Sequence, residues 1–375
     1  MPNTAAKSSR IALLGLLLIG FIASTASADS QGTLIAEPVE TVTDPDNTEA
    51  FGFGNGSVIV APIPFSNPLI GTGLALGAGY LFQVDENANT SLIGVGTMRS
   101  DNGSEAHGLS FRLSTPGNNW DLSATFADAA LNYDLISGGL AIPLRQTGSF
   151  ARLEASKKVA EHWSVGLQLK YLDTDITSGN ISFGGLPTNF TLFGGLQTAS
   201  VGIVAQRDTR DSDIYPTTGN NLDLSVLYNE ITSGGGNYTK IAALYGAYRP
   251  ISEDGVLAIR LAGCGTADGA PFYDLCSVGG TDAMRGFNPT QFLDDRLLSA
   301  QAEYRHKFTQ RFGMVAFAGY GAVGDSFGSL DESGYAGGIG LRVAVSKKVP
   351  VNFAIDASHN NDGESLIYIS VGERF

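Results

Sequence analysis

Ile367-Tyr-Ile-Ser-Val-Gly-Glu-Arg-Phe375 ends the chain, and its alternation decides the fold. Ile367, Ile369, Val371 and Phe375 share one face of an extended strand, while Tyr368, Ser370 and Gly372 share the other. Successive strand side chains point to opposite faces, so one face suits lipid and the other a polar lumen. A last aromatic after such a run reads as the closing strand of a bacterial outer-membrane β-barrel. Glu373 breaks the pattern on the apolar face, near enough to the end to reach the headgroup zone.

Composition agrees with a barrel wall. Charged residues are 16% of the chain and glycine is 48 of 375 residues, against roughly 25% and 7% in soluble proteins. Only alternate residues of a barrel need be apolar. A secreted β-sandwich or β-helix is the soluble alternative, but no fixed repeat period marks a solenoid. Residues 1–28 read as a secretory signal peptide: Lys7 and Arg10, an apolar run from Ile11 to Ala23, then Ala26-Ser27-Ala28. That run is shorter than the roughly 20 residues of a spanning helix. Cleavage removes two basic residues and no acidic one, which takes the net charge from −14 to −16. So acidic a chain argues against nucleic acid as a partner.

Residues 29–70 read as an acidic periplasmic tail and lead-in to the barrel, with Asp29, Glu37, Glu40, Asp44, Asp46 and Glu49 beside Pro38 and Pro45. The DPDNTE stretch (44–49) lacks the glycine and spacing of a calcium loop. From residue 71 to 375, sixteen strand candidates follow with turn signals between them. They are 71–84, 90–99, 104–114, 119–128, 131–143, 148–157, 163–173, 196–207, 219–229, 237–249, 255–263, 296–307, 312–324, 334–346, 350–358 and 364–375. An even number lets an antiparallel barrel close with both ends on one side. In 163–173, Trp163, Val165, Leu167, Leu169 and Tyr171 alternate with Ser164, Gly166, Gln168 and Lys170. Eight steps of about 3.3 Å, tilted by about 40°, make an apolar band roughly 20 Å tall with an aromatic at each rim. In 296–307, Leu298, Ala300, Ala302 and Tyr304 face out, and Ser299, Gln301, Glu303 and Arg305 face in. In 334–346, Tyr335, Ile339, Leu341, Val343 and Val345 face out, with Gly338, Gly340 and Arg342 inward. The strand 237–249 is ambiguous.

Odd-numbered gaps then lie outside and even-numbered gaps in the periplasm. The outer gaps 174–195 and 264–295 are the longest, and the periplasmic gap 208–218 is longer than its neighbours. Cys264 and Cys276, twelve residues apart, are expected to form a disulfide in an oxidising compartment. A metal pair is disfavoured because no histidine lies near them, and neither metal nor cofactor is expected.

Four stretches together resemble the barrel of the BamA/TamA superfamily of outer-membrane assembly and secretion proteins, the bacterial surface antigen family. DTRDSDIYPTTGNN (208–221) is similar to the family's periplasmic turn, through Asp208, Arg210, Asp211, Pro216 and Gly219. GGTDAMRGF (279–287) is similar to its Val-Arg-Gly-Phe/Tyr loop motif, through Gly279, Gly280, Met284, Arg285, Gly286 and Phe287, with methionine in place of valine. LLSAQAEYRHKF (297–308) resembles the strand after that loop, and VGERF (371–375) the closing strand, with Ile369, Val371, Gly372 and Phe375. The resemblance covers 71–375 and implies that the sixth outer loop folds into the lumen, where its arginine meets acids on the wall. It also implies outer-membrane lipid as surroundings and the barrel assembly machinery as a partner of the closing strand. About forty residues separate the expected cleavage site from the first strand candidate, too few for one of the family's periplasmic client-binding modules, so a separate periplasmic partner is the expected substitute.

A guanidinium inside a barrel needs carboxylates, because a lone desolvated charge is costly. Arg285 is that residue here, with Gly286 allowing close backbone approach. The family's Phe-x-Asp-x-Gly wall motif reads Phe317-Ala-Gly319-Tyr-Gly321, without the aspartate, so Glu303 is the expected partner. A solvated Arg285 in a wet loop is the alternative. His107, His162, His306 and His359 lie apart in strands and turns, and no nucleophile-base motif accompanies them. Three functions follow in order: translocation or assembly of proteins or other substrates at the bacterial outer membrane, a passive pore or structural surface antigen, and a barrel hydrolase. The chain is not expected to be an enzyme.

Overall fold

A computed structural model describes residues 52–374, apart from 86–87, 138, 180, 184–185, 189–190, 214, 268, 280–283 and 345–351. The expected signal peptide, most of the acidic tail, Gly280 and Phe375 lie outside the described residues. Sixteen antiparallel strands close into one barrel. They are β1 (Ser57–Asn67), β2 (Gly71–Phe82), β3 (Ser91–Ser100), β4 (Glu105–Ser114), β5 (Trp120–Ser137), β6 (Leu140–Ala160), β7 (Trp163–Ser178) and β8 (Thr191–Asp208). There follow β9 (Gly219–Ile231), β10 (Gly236–Pro250), β11 (Gly255–Thr266), β12 (Arg296–Lys307), β13 (Phe312–Gly324), β14 (Glu332–Ala344), β15 (Asn352–Asn360) and β16 (Ser365–Val371). Closure satisfies backbone groups that lipid cannot, which is why a barrel and not an open sheet forms.

The expected alternation governs the wall. Val165, Leu167 and Leu169 are exposed outward on β7, whereas Gln168 and Lys170 are buried inward. On β12, Leu298 and Tyr304 face out, and Gln301, Glu303 and Arg305 are buried. The ambiguous β10 turns Tyr238, Lys240, Leu244 and Tyr248 inward and Ile241 outward. Its lumen face is aromatic because loop and turn segments press on it.

Three sequence expectations need correction. The barrel starts at Ser57 and not at residue 71, because β1 lies in the stretch assigned to the tail. It carries Pro62 and Pro64, which are tolerated because β1 is one side of the sparsely paired joint with β16. Conversely, 119–128, 131–143 and 148–157 are two strands and not three. β5 and β6 pair without a break from Trp120↔Lys157 to Ser137↔Leu140. The breaks expected at 129–130 and 144–147 fall inside β5 and β6, and at Gly148 within β6 a Cβ would overlap the backbone of Asp173 and Thr174 on β7. One strand missed and one counted twice left the total at sixteen, but reversed the sides of the first gaps: 83–90 lies at the same end as the start of β1. Finally, β16 stops at Val371 and not at residue 375. Gly372, at φ +93°, turns the chain inward, and Glu373 is buried in the lumen instead of reaching headgroups.

The wall is uneven. β5 to β8 run 16 to 21 residues each, while β16 has 7. The short side holds the seam. Among the described residues β1 and β16 pair at one position, Ser66↔Ile369, supported by a hydrogen bond from the Ser66 hydroxyl to the Ile367 carbonyl at 3.3 Å. Every other neighbouring pair in the barrel has a ladder of seven or more residue pairs, as β15 with β16 shows.

Candidate functional site

The segment between β11 and β12, residues 267–295, crosses the lumen. It leaves β11 through a disulfide from Cys264 to Cys276, with Cα atoms 5.7 Å apart. Cys276-Ser277 and Leu293-Asp294 pair as a short ribbon. Farther along, Asn288 Nδ2 donates to the Pro68 carbonyl in the β1–β2 turn at 3.3 Å. The Thr290 hydroxyl donates to the Asp134 carbonyl on β5 at 2.6 Å. Rooted between β11 and β12, the loop therefore reaches the wall at β1–β2 and β5 on the far side of the barrel.

Two sets of charges anchor it. Asp274 accepts the Tyr238 hydroxyl at 2.5 Å and the Lys240 ammonium at 3.1 Å, both from β10. Deeper in, Arg285 is almost wholly buried. Its Nη2 donates to Glu303 at 2.5 Å, its Nη1 to Asp356 on β15 at 2.7 Å, and its Nε to Gln301 at 3.0 Å. The guanidinium also lies 3.7 Å from the centre of the Phe317 ring, a favourable stacking of cation on π-face. Three polar partners and a ring on four sides are what a buried guanidinium requires.

Glycines shape the bed beneath the loop tip. On β13, a Cβ at Gly319 would lie 3.0 Å from the Met284 sulfur, and one at Gly321 would lie 2.8 Å from Val278. On β14, a Cβ at Gly334 would overlap the Phe287 ring. Gly286 sits at φ +119°. Its amide donates to the Tyr368 hydroxyl on β16 at 2.8 Å, and its carbonyl accepts from Asn360 at 2.9 Å. A side chain there would strike Ala336. The absent aspartate at position 319 thus leaves room for Met284, and the charge is met from β12 and β15 instead.

Glu303 joins this site to a second one. It accepts from Arg305 Nε at 2.7 Å as well as from Arg285. Arg305 in turn donates to the Pro216 carbonyl at 3.3 Å and lies 5.5 Å from the Tyr215 ring. Pro216 and Tyr215 belong to the β8–β9 turn, which folds into the barrel mouth. Within that turn Arg210 grips Asp208 with Nε at 3.0 Å and Nη2 at 2.7 Å. Asp211 accepts the Thr217 hydroxyl at 2.5 Å and the Thr217 and Thr218 amides at 2.8 and 3.0 Å. Burial opposes ionisation of Asp211, but these donors outweigh it and hold the carboxyl below its ordinary value. Burial pushes the Tyr215 phenol up to about 12. Gly219 opens β9 after the turn, at φ +91°.

The network continues to the chain end. Arg342 on β14 donates to Asp356 at 2.5 Å and to Glu373 at 2.8 Å. Glu373 also accepts from Asn352 at 2.6 Å, and the Arg374 carbonyl accepts from Arg260 on β11 at 2.6 Å. The structure therefore brings Met284, Arg285, Gly286, Phe287, Glu303, Phe317, Gly319 and Gly321 together, with Gly279 bridged to Met284. The Pro216 segment meets them through Arg305. Asp208, Arg210 and Asp211 stay within their own turn. Asp356 was missed by sequence reasoning. Its signal was an acid on the inward face of a short alternating strand, Phe353-Ala-Ile-Asp356.

The lumen is not wholly polar. Ile63, Phe65, Met98, Leu131, Tyr133 and Ile176 form an apolar lining at the loop end, against which Phe272 and Tyr273 of the loop pack. Beside it a cavity of about 630 Å³ stays open, edged by Asn132, Arg145, Thr177 and Asn288.

Comparison with known proteins adds the family. A model described as the Omp85 superfamily domain matches residues 95–375. No curated protein matches the sequence. Among solved structures, BamA from Haemophilus ducreyi lacking POTRA domains 1-3 is similar at a TM-score of 0.59 and 16% identity, over 85% of this chain and 70% of that one. CdiB from Acinetobacter baumannii is similar at a TM-score of 0.57 and 13% identity, over 84% and 59%. CdiB from Escherichia coli gives 0.55 and 12%, over 84% and 62%. The chain spans less than two thirds of either CdiB structure. At these identities the likeness concerns the fold.

Proposed function

The chain belongs to the Omp85 superfamily, and from that membership we propose that it serves translocation or assembly of proteins or other substrates at the bacterial outer membrane. The start of β1 and the end of β16 face the periplasm, and the 267–295 loop enters from outside. The observation that carries this reading is the seam. In a barrel whose other strands are fully laddered, β1 and β16 meet at one position, beside a loop tied to β16 through Tyr368. A wall with one weak joint opens there first. The loop is then both plug and latch: Arg285 seals the lumen, and its neighbour Gly286 holds the last strand.

The periplasmic turn connects to the same latch through Arg305 and Glu303. A load on Tyr215 or Pro216 from a separate periplasmic partner would reach Arg285 across two residues. Coupling of this kind needs an element with two arrangements, and the loop supplies it.

The test is a seam lock. Ser66→Cys with Ile369→Cys joins β1 to β16. In cells, photocrosslinkers on the two strands should capture nascent outer-membrane proteins when the lock is reduced and lose them when it is oxidised. Equal capture in both states, or none in either, would leave a passive pore or surface antigen as the better reading.

A further inference from the structure

β1 carries two prolines, Pro62 and Pro64, in a strand of eleven residues. The register fixes which edge their nitrogens face. Thr72, at the start of β2, accepts from the amide of Asp101 just past the end of β3, so even-numbered residues of β2 bond toward β3 and odd-numbered ones toward β1. Ile63 pairs with Ala75 and Ala61 with Gly77. Odd-numbered residues of β1 therefore bond β2, and even-numbered ones address the seam. Ser66, even-numbered, is the residue paired with Ile369.

Pro62 and Pro64 thus turn their ring nitrogens to the seam, where neither can donate. Continuing the antiparallel register from Ser66↔Ile369 sets Pro64 opposite Val371, the last residue of β16. It sets Pro62 opposite Glu373, which has already left the wall for Arg342 and Asn352. The ladder ends where its donors end. The even-numbered side chains of this stretch face lipid, with Val58 and Val60 half exposed.

A proline on such an edge acts in two ways. Lipid offers no partner to an orphaned amide, so removing the amide lowers the cost of an edge that stands open. The same removal denies a hydrogen bond to any strand that would add there. Resting on the reading that the seam opens, we propose that Pro62 and Pro64 are the specificity residues of that opening. They keep the N-terminal half of β1 bordered by lipid acyl chains and refuse an incoming β-strand along residues 60–64.

The full chain in phosphatidylethanolamine bilayers tests this, with Pro62→Ala and Pro64→Ala together restoring both amides at little cost in size. The probe is a peptide copying β16, SLIYISV, with a photocrosslinker. The native chain should capture it weakly at β1 and crosslink readily to photoactivatable lipid at 58–64. The double variant should capture about tenfold more peptide, as two restored hydrogen bonds imply, and lose lipid crosslinks. Pro62→Val with Pro64→Val should behave as the alanine pair does, which serves if that pair folds poorly. Equal peptide capture by native chain and variants would overturn the proposal, as would capture by none of them. If the oxidised Ser66→Cys/Ile369→Cys lock leaves client crosslinks unchanged, the seam-opening reading fails instead, whatever the peptide does.

Discussion

Glu303 is the residue on which the interior turns, since it faces Arg285 from the loop and Arg305 from its own strand at 2.5 and 2.7 Å. Removing one member of a buried ion pair leaves the rest uncompensated and costs about 3–5 kcal/mol. Glu303→Gln should therefore lower the thermal midpoint of the folded barrel in detergent more than Asp208→Asn, whose Arg210 pair lies at the mouth. Equal shifts would argue against a dry lock. Asp211 gives a pH signature. Its folded pKa lies below the unfolded value, so its stabilisation is complete above the ordinary aspartate value of about 3.9 and fades as pH falls through the folded one. The stability gap between native chain and Asp211→Ala should be constant near neutrality and close below about pH 4. Arg285 and Glu303 were legible because alternation on β12 fixes an inward carboxylate. Glu373 misled, because alternation holds only while the strand continues, and Gly372 ends it.

At the scale of elements, strands with clean alternation could be read closely, as β12 and β13 show, although β7 runs five residues past its expected end. β1 could not, because a proline reads as a breaker unless the strand is known to be an edge, and only closure reveals which strand that is. β5 and β6 were broken at 129–130 and 144–147, and the strand 131–143 was run through their true connection between Ser137 and Leu140, because strands of 18 and 21 residues exceed the roughly 9–11 that a spanning strand needs. The loop's course was an expectation that the resemblance of its Arg-Gly-Phe motif implied, but its second anchor, Asp274 on Lys240 and Tyr238, was not legible. That anchor lies two residues from Cys276, so the disulfide and the ion pair hold the same segment. Cys264→Ser with Cys276→Ser should cost about 3 kcal/mol in the chain-entropy model. The measurable result is faster proteolysis within 267–295 while far-ultraviolet circular dichroism keeps its β signal. Proteolysis at the native rate would show that Asp274 and Arg285 suffice.

Across the whole molecule, the tall wall of β5 to β8 and the short seam make a barrel that is stiff on one side and weakly joined on the other. The loop spans the two, from Asp134 on β5 to Tyr368 on β16. What closes the barrel is this loop, held in the lumen by its arginine. Single-channel recording in planar bilayers tests that most directly, comparing the native chain with Arg285→Ala. The native barrel should sit in a low-conductance state, and the variant should show larger and more frequent openings. Identical conductance in the two would contradict the account.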